Sequence, residues 1–188
     1  MIDIDRNRTI QRWFRRFLAR VARQKQPTLE RREPVFRLPE TYQAAARSLV
    51  DFEALNKIQY RERKLILRPE LNDEKILEFL KAFQKELERR GYPFYAFELF
   101  RSGKRQDELK LQGRSKAGAG SSPHNYGCAV DIVHTYRYWD LTTKEWAVIG
   151  AIGKEVARKR HIKIVWGGDW SFYDPAHWEL EDWRERVL

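Results

Sequence analysis

His124 and Asp131 stand seven residues apart in SSPHNYGCAVDIV, residues 121–133, within a chain of 188 residues that has only four histidines and one cysteine. On one continuous helix the two would lie roughly 10 Å apart along the axis, too far to share one ion. On one straight strand an odd spacing puts them on opposite faces. They converge only if the chain turns between them, and Asn125-Tyr126-Gly127 supplies residues suited to a turn. Beyond that turn Ala129, Asp131 and Val133 share one face of a strand, while Val130 and Ile132 point to the other. A carboxylate between small and apolar neighbours on a core-forming strand needs a partner, because burying it alone is costly. A metal ion is one such partner, and a satisfied polar network is another.

Any third ligand has to come from elsewhere, and two histidines remain besides His134. His161, in RKRHIKI, follows a helical pattern and reads as a partner for a helix C-terminus. His177 sits in WGGDWSFYDPAHWELEDW, among aromatics and acids after a Gly-Gly turn. Asp174 precedes it by three, so on a helical turn both side chains face the same way. One of them could then bind a metal while the other holds an attacking water. Asp174-Pro175 is also a good helix start, with Asp as cap and Pro in the first position.

These residues need elements to hold them. PFYAFELF (93–100) reads as an aromatic strand, AVDIV (129–133) as a short one, and IKIVW (162–166) as a last strand broken by Gly167-Gly168. Helices are predicted over 41–56, 73–90 and 143–160. The second has Asn72 or Asp73 as cap, Gly91 as stop, and Ile76, Leu77, Leu80, Phe83 and Leu87 on its apolar face. The third turns Trp146, Ile149, Ile152 and Val156 inward. Residues 103–123, rich in Gly, Ser, Lys and Arg, read as a long loop, a usual place for a binding site. No internal repeat is visible. The segregation of helices and strands predicts an α+β fold, a small antiparallel sheet flanked by helices with the site at one side of the sheet.

Ahead of this domain, RTIQRWFRRFLARVARQ (8–24) places Ile10, Trp13, Phe14, Phe17, Leu18 and Val21 at helical spacing, with Arg12, Arg16, Arg20 and Arg23 opposite. Such a helix either packs on its own domain or lies on an anionic membrane or envelope surface, for which Trp/Phe on one face and Arg on the other are suited. Residues 25–39 carry three prolines and no sustained period, and read as a linker. The division predicted is a basic amphipathic helix with its linker over 1–38 and one domain over 39–188.

The bulk numbers agree with a single domain of ordinary size. Hydrophobic residues make up 42% and charged residues 34%, a globular balance. No apolar run is long enough to cross a bilayer, and the start lacks the apolar stretch of a secretory signal, which predicts synthesis in the cytoplasm. One cysteine excludes an internal disulfide framework. The net charge of +10 is unevenly placed: residues 1–38 hold eleven Lys/Arg against four Asp/Glu, or +7, leaving +3 for the rest. A basic tail on a nearly balanced body predicts an attachment device, with nucleic acid, anionic lipid and anionic cell-wall polymers all open as its partner; no specific nucleic acid is expected.

Ser122-Pro-His124-Asn-Tyr-Gly127-Cys-Ala129-Val-Asp131 fits the pattern S-x-H-x-x-G-x-A-x-D, and Asp174-x-x-His177 with an aromatic residue follows it. Together these resemble the zinc D-alanyl-D-alanine carboxypeptidase/L-alanyl-D-glutamate endopeptidase family, to which the vancomycin-resistance carboxypeptidases and many phage endolysins belong. Gly167-Gly168-Asp169-Trp170 before Asp174 is similar to the endopeptidase branch, as are Phe100-Arg101-Ser102 and Gln112-Gly113-Arg114 upstream. The resemblance covers residues 73–179.

The resemblance implies that His124, Asp131 and His177 hold zinc and leave a fourth position for water. It implies Asp174 as the general base and Arg101 as a group polarising the scissile carbonyl. Ser122 is implied either to touch substrate or to fix the His124 loop, and Asp169 and Trp170 either to shape the groove wall or to serve turn and core. The family usually has Ser-Gly before its aromatic-Arg pair; Glu98-Leu99 stand here, which puts the placement of Arg101 in question. The function so implied is zinc-dependent cleavage of peptidoglycan stem peptides in the manner of a phage endolysin, at the L-Ala–D-Glu bond. Such an enzyme waits in the cytoplasm for a holin-type membrane lesion or travels in a virion. The rivals are a D-Ala-D-Ala carboxypeptidase of the same fold and a non-catalytic wall- or nucleic-acid-binding protein with a structural zinc. Asp174 weighs against the last, since a closed structural site needs no water-activating carboxylate.

Overall fold

The computed structural model describes residues 41–65 and 68–187. The expected helix over 8–24 and linker over 25–39 lie outside the described residues. The sheet is built from β1 (Phe94–Glu98), β2 (Ala129–His134), β3 (Ile164–Trp166) and β4 (His177–Leu180). Their order is β1-β2-β4-β3 and every pairing is antiparallel. The helices are α1 (Tyr42–Ser48), α2 (Phe52–Asn56), α3 (Ile58–Arg63), α4 (Glu74–Arg89), α5 (Gly103–Leu111) and α6 (Thr143–Arg160). This is the expected α+β architecture, a small antiparallel sheet flanked by helices. No helix among the described residues is long and apolar enough to cross a membrane.

One face of the sheet makes the core. Alternation along β2 and β4 sends Val130, Ile132, Trp178 and Leu180 into it, all at most 1% exposed. Against them α4 lays Ile76, Phe79, Leu80, Phe83 and Leu87. Trp178 is the centre, its ring 5.0 Å from Phe83, 5.4 Å from Phe79 and 5.7 Å from Trp166. α4 starts where expected, with Asp73 accepting from Lys75 N at 2.7 Å, and ends before Gly91 at φ +80°. α6 starts on a capping box of Thr142 and Glu145.

The structure departs from the sequence reading at four places. The helix expected over 41–56 is two helices, α1 and α2, because the Asp51 side chain caps Ala54 N at 2.8 Å and restarts the chain. The loop expected over 103–123 begins as α5, capped by Ser102; only Gln106 and Leu109 on it are buried, so no apolar stripe marked it. α3 and the short helical turn Pro69–Leu71 had no counterpart in the reading. No helix starts at Asp174-Pro175: His177 opens β4 instead. The sheet claims that segment because Trp178 and Leu180 alternate into the core while His177 and Glu179 face the other way.

Candidate active site

The site lies on the face of the sheet opposite α4. Asp131 of β2 pairs with His177 of β4, and on its other side with Glu98 of β1. Directly opposed residues share a face, so Glu98, Asp131 and His177 form one row across three strands. Glu98 joins the row through a β-bulge between Ala96 and Glu98, since regular pairing from Ala96↔Ile132 would have set Phe97 opposite Asp131. His124 arrives from the turn Pro123–Tyr126, which ends at Gly127 with φ +66°. A Cβ on Gly127 would stand 2.2 Å from the Leu71 carbonyl oxygen, so only glycine lets the turn close against the segment before α4.

His124 Nε2, His177 Nδ1 and Asp131 Oδ1 form a triangle with sides of 3.1, 3.2 and 3.3 Å. The remaining ring nitrogens settle what these atoms carry. His124 Nδ1 lies 2.7 Å from the Leu99 carbonyl and His177 Nε2 lies 2.9 Å from Glu179 Oε2. Both partners only accept, so both nitrogens must be N–H donors. In neutral rings the lone pairs of Nε2 and Nδ1 then point at each other and at a carboxylate oxygen, and the triangle holds acceptors with nothing to accept. A cation resolves this. Tetrahedral bonds of about 2.0–2.1 Å put ligand atoms roughly 3.3 Å apart, which is the triangle seen. The crowding of acceptors also moves the pKa values of these side chains. Burial works to lower the His177 pKa but is outweighed by its bonds to Asp131 and Glu179, which raise it to about 9. Burial works to raise Asp131, yet His124 and His177 hold it well below the usual carboxylate range.

Asp174 is half-buried on the loop before β4. Its pKa is raised, first by burial and next by the negative charge of Asp131, against the opposing pull of His177, His124 and Arg101. The loop is tied down by Asp174 N donating to Gly167 O at 3.0 Å and His177 N to Asp174 O at 3.1 Å. Gly167 is required for this, because a Cβ there would meet the Asp174 carbonyl oxygen at 2.3 Å.

Arg101 is buried, and its guanidinium is spoken for. Nε and Nη2 donate to Glu98 Oε2 at 2.9 and 2.5 Å, Nη2 also to Asp131 Oδ2 at 3.2 Å, and Nη1 to Gln106 Oε1 at 2.9 Å. The Glu98 that stands where the family pattern differs is therefore what orients Arg101 toward the distal oxygen of Asp131. Ser122 is buried two residues ahead of His124, and its carbonyl accepts from Asn125 N at 2.9 Å. The Trp170 ring lies 5.1 Å from the His177 ring, at the wall of the site. Asp169 turns away and pairs with Lys154 of α6. Cys128 is a buried thiol whose pKa burial pushes up to about 11, a packing residue. His161 ends α6 in the left-handed conformation, φ +54°. Sequence reasoning did not give Glu179, Glu98 or Gln106 their partners. The alternation of His-Trp-Glu-Leu was the available signal for Glu179; the bulge that recruits Glu98 left none.

Comparison with known proteins points the same way. The sequence profile of a family described as D-alanyl-D-alanine carboxypeptidase matches residues 115–180, which contain His124, Asp131, Asp174 and His177. The peptidoglycan L-alanyl-D-glutamate endopeptidase CwlK of Bacillus subtilis (strain 168) is 32% identical, over 53% of this chain and 67% of the relative. The crystal structure of the Serratia marcescens L-Ala D-Glu endopeptidase ChiX shares the fold, with a TM-score of 0.52 and 24% identity over 71% of this chain and 99% of that one.

Proposed function

The chain belongs to the D-alanyl-D-alanine carboxypeptidase/L-alanyl-D-glutamate endopeptidase family of peptidases, and from that premise we propose that it is a zinc-dependent peptidoglycan endopeptidase cutting the L-Ala–D-Glu bond of the stem peptide. The observation that carries the reading is the convergence of three metal-suited lone pairs, on His124, His177 and Asp131, beside a carboxyl of raised pKa. Those three residues would hold the metal. The chemistry zinc supplies when bound is Lewis acidity, which polarises a carbonyl and lowers the pKa of water from about 15.7 toward about 7.

The remaining work falls to the chain. Asp174 takes the proton of the attacking water and passes it to the leaving amine, a task for which a raised pKa is suited. Glu179 and the Leu99 carbonyl hold the two imidazoles in the tautomers that keep the facing nitrogens unprotonated. Arg101, its guanidinium engaged by Glu98, Asp131 and Gln106, braces Asp131, so the carbonyl-polarising part the resemblance implies for it falls to the metal. Trp170 supplies a wall against which an extended peptide lies, and Ser122 fixes the His124 turn. The endopeptidase choice is supported by the names of the two relatives. An endolysin role, with release by a membrane lesion or delivery in a virion, and attachment of residues 8–24 to an anionic envelope, belong to the same proposal.

Mass analysis of fragments released from purified peptidoglycan tests the reading. New L-alanine carboxyl and D-glutamate amino ends are expected. Loss of terminal D-alanine alone would make the protein a carboxypeptidase, and no cleavage with zinc present would overturn both.

A further inference from the structure

Outward from His177 the site wall continues as a row of side chains. The Trp170 ring lies 5.1 Å from the His177 ring, the Phe172 ring 4.8 Å from Trp170, and Lys116 Nζ 4.7 Å from the Phe172 ring. Phe172 is 50% exposed although it stands beside a half-buried tryptophan. Its chain neighbour Tyr173 is 42% exposed as well, so adjoining aromatic surface is left open to water beside Trp170.

Lys116 is held there by the fold. Its loop is fastened to α5, where Gln106 Nε2 donates to Ala117 O and Ser115 Oγ, each at 2.8 Å, and Asp107 Oδ1 accepts from Ala119 N at 2.8 Å. Gln106 is fully buried and is the same residue that accepts from Arg101, so one side chain joins the Lys116 loop to the group bracing Asp131. Charge is concentrated here too. Residues 101–116 hold six Lys/Arg against two Asp/Glu, or +4, while the whole of 39–188 carries only +3. Arg101 and Arg105 are taken up by Glu98, Asp131 and Glu108. Lys116 forms no ion pair among the described residues; its partner is the ring of Phe172.

We infer that Lys116 over Phe172 is a carboxylate-binding subsite for an anionic peptide lying along the Trp170–Phe172 wall. The row from the His177 ring to Lys116 Nζ measures at most about 15 Å along its steps, so at about 3.3 Å per extended residue the subsite meets a carboxylate up to four or five residues from the bond being cut. The inference rests on the proposed peptidase reading and names its substrate class. The free carboxyl of the glutamyl residue itself lies next to the scissile bond, so the anion that reaches Lys116 is a carboxylate further along the peptide, the free C-terminus of a short substrate included.

The test uses two L-alanyl-D-glutamyl tetrapeptides, one with its carboxylates free and one with each capped as an amide. The zinc-loaded protein is expected to show a KM about fivefold lower for the free peptide, a preference that shrinks with added salt. Lys116→Met removes the preference without changing kcat, and Lys116→Arg keeps it. Calorimetric binding of both peptides to Asp174→Ala protein, with and without Lys116→Met, separates this inference from the reading it rests on. A binding preference that disappears with Lys116→Met, with no cleavage by the parent protein, upholds the subsite and overturns the bond assignment. Equal KM and equal binding for the two peptides, or a preference that survives Lys116→Met, overturns the subsite.

Discussion

Asp131 and Asp174 are acids of one cluster whose surroundings push them apart. Asp131 is held well below the carboxylate range by His124 and His177, while Asp174 is raised by burial and by Asp131 itself. That divergence suits the proposed roles, a charged ligand in Asp131 and a proton-moving group in Asp174. Replacing His124, Asp131 or His177 by Ala is expected to abolish both metal retention in chelator competition and hydrolysis. Asp174→Ala should keep metal near one per chain while hydrolysis falls by about two to four orders of magnitude. Loss of metal in Asp174→Ala with retention in Asp131→Ala would invert the two roles. Glu179 acts one step back: Glu179→Ala should weaken metal binding about 10- to 100-fold, and Glu179→Gln, which still accepts from His177 Nε2, far less. The motif residues were legible because their types and spacing are set by the chemistry. Glu98, Gln106 and Glu179 were not, because their partners depend on strand register.

At the scale of elements, two buried groups away from the site tie folding to pH. His134 ends β2, and its Nδ1 accepts from both Tyr136 N and Arg137 N at 3.2 Å. Burial, helped by Arg137, lowers its pKa from 6.5 to about 4, so the fold favours the neutral ring. That stability is complete above pH 6.5 and is lost as pH falls toward 4. Glu145 of α6 is 1% exposed and bonds Arg137, Ser48 and Thr142. Burial would raise it, but these partners lower it from 4.5 to about 2, so its contribution is lost in a second window below pH 4.5. Melting temperature against pH should therefore fall in two stages. His134→Asn, whose amide oxygen can take the same two donors, should flatten the first. Glu145→Gln should flatten the second and cost about 3 kcal/mol at neutral pH. A curve unaltered by either change would remove these groups as the cause. α4 and α6 were legible because each carries a long apolar stripe between a cap and a stop. α5 and β4 were not: α5 buries two residues, and β4 is a four-residue strand flanked by acids.

For the whole molecule, the informative quantity is where the charge sits. The segment 1–38 carries +7 of the total +10, and the 150 residues after it carry +3. The peptidase site needs none of that basic excess, since its own arginine is balanced by Glu98 and Asp131. If Arg12, Arg16, Arg20 and Arg23 serve attachment, changing all four to Gln in the full chain should leave cleavage of soluble wall fragments unchanged. Each arginine near an anionic surface is worth about 1 kcal/mol, so binding to vesicles of anionic lipid should drop on the order of a hundredfold or more. What binding remains should respond less to salt, because fewer charges are left to screen. Killing of intact cells should fall with the binding. The opposite pattern is as readable: soluble cleavage and melting temperature falling together, with vesicle binding unchanged, would make these arginines part of the domain's own fold. Attachment and catalysis would then not be separable along this chain.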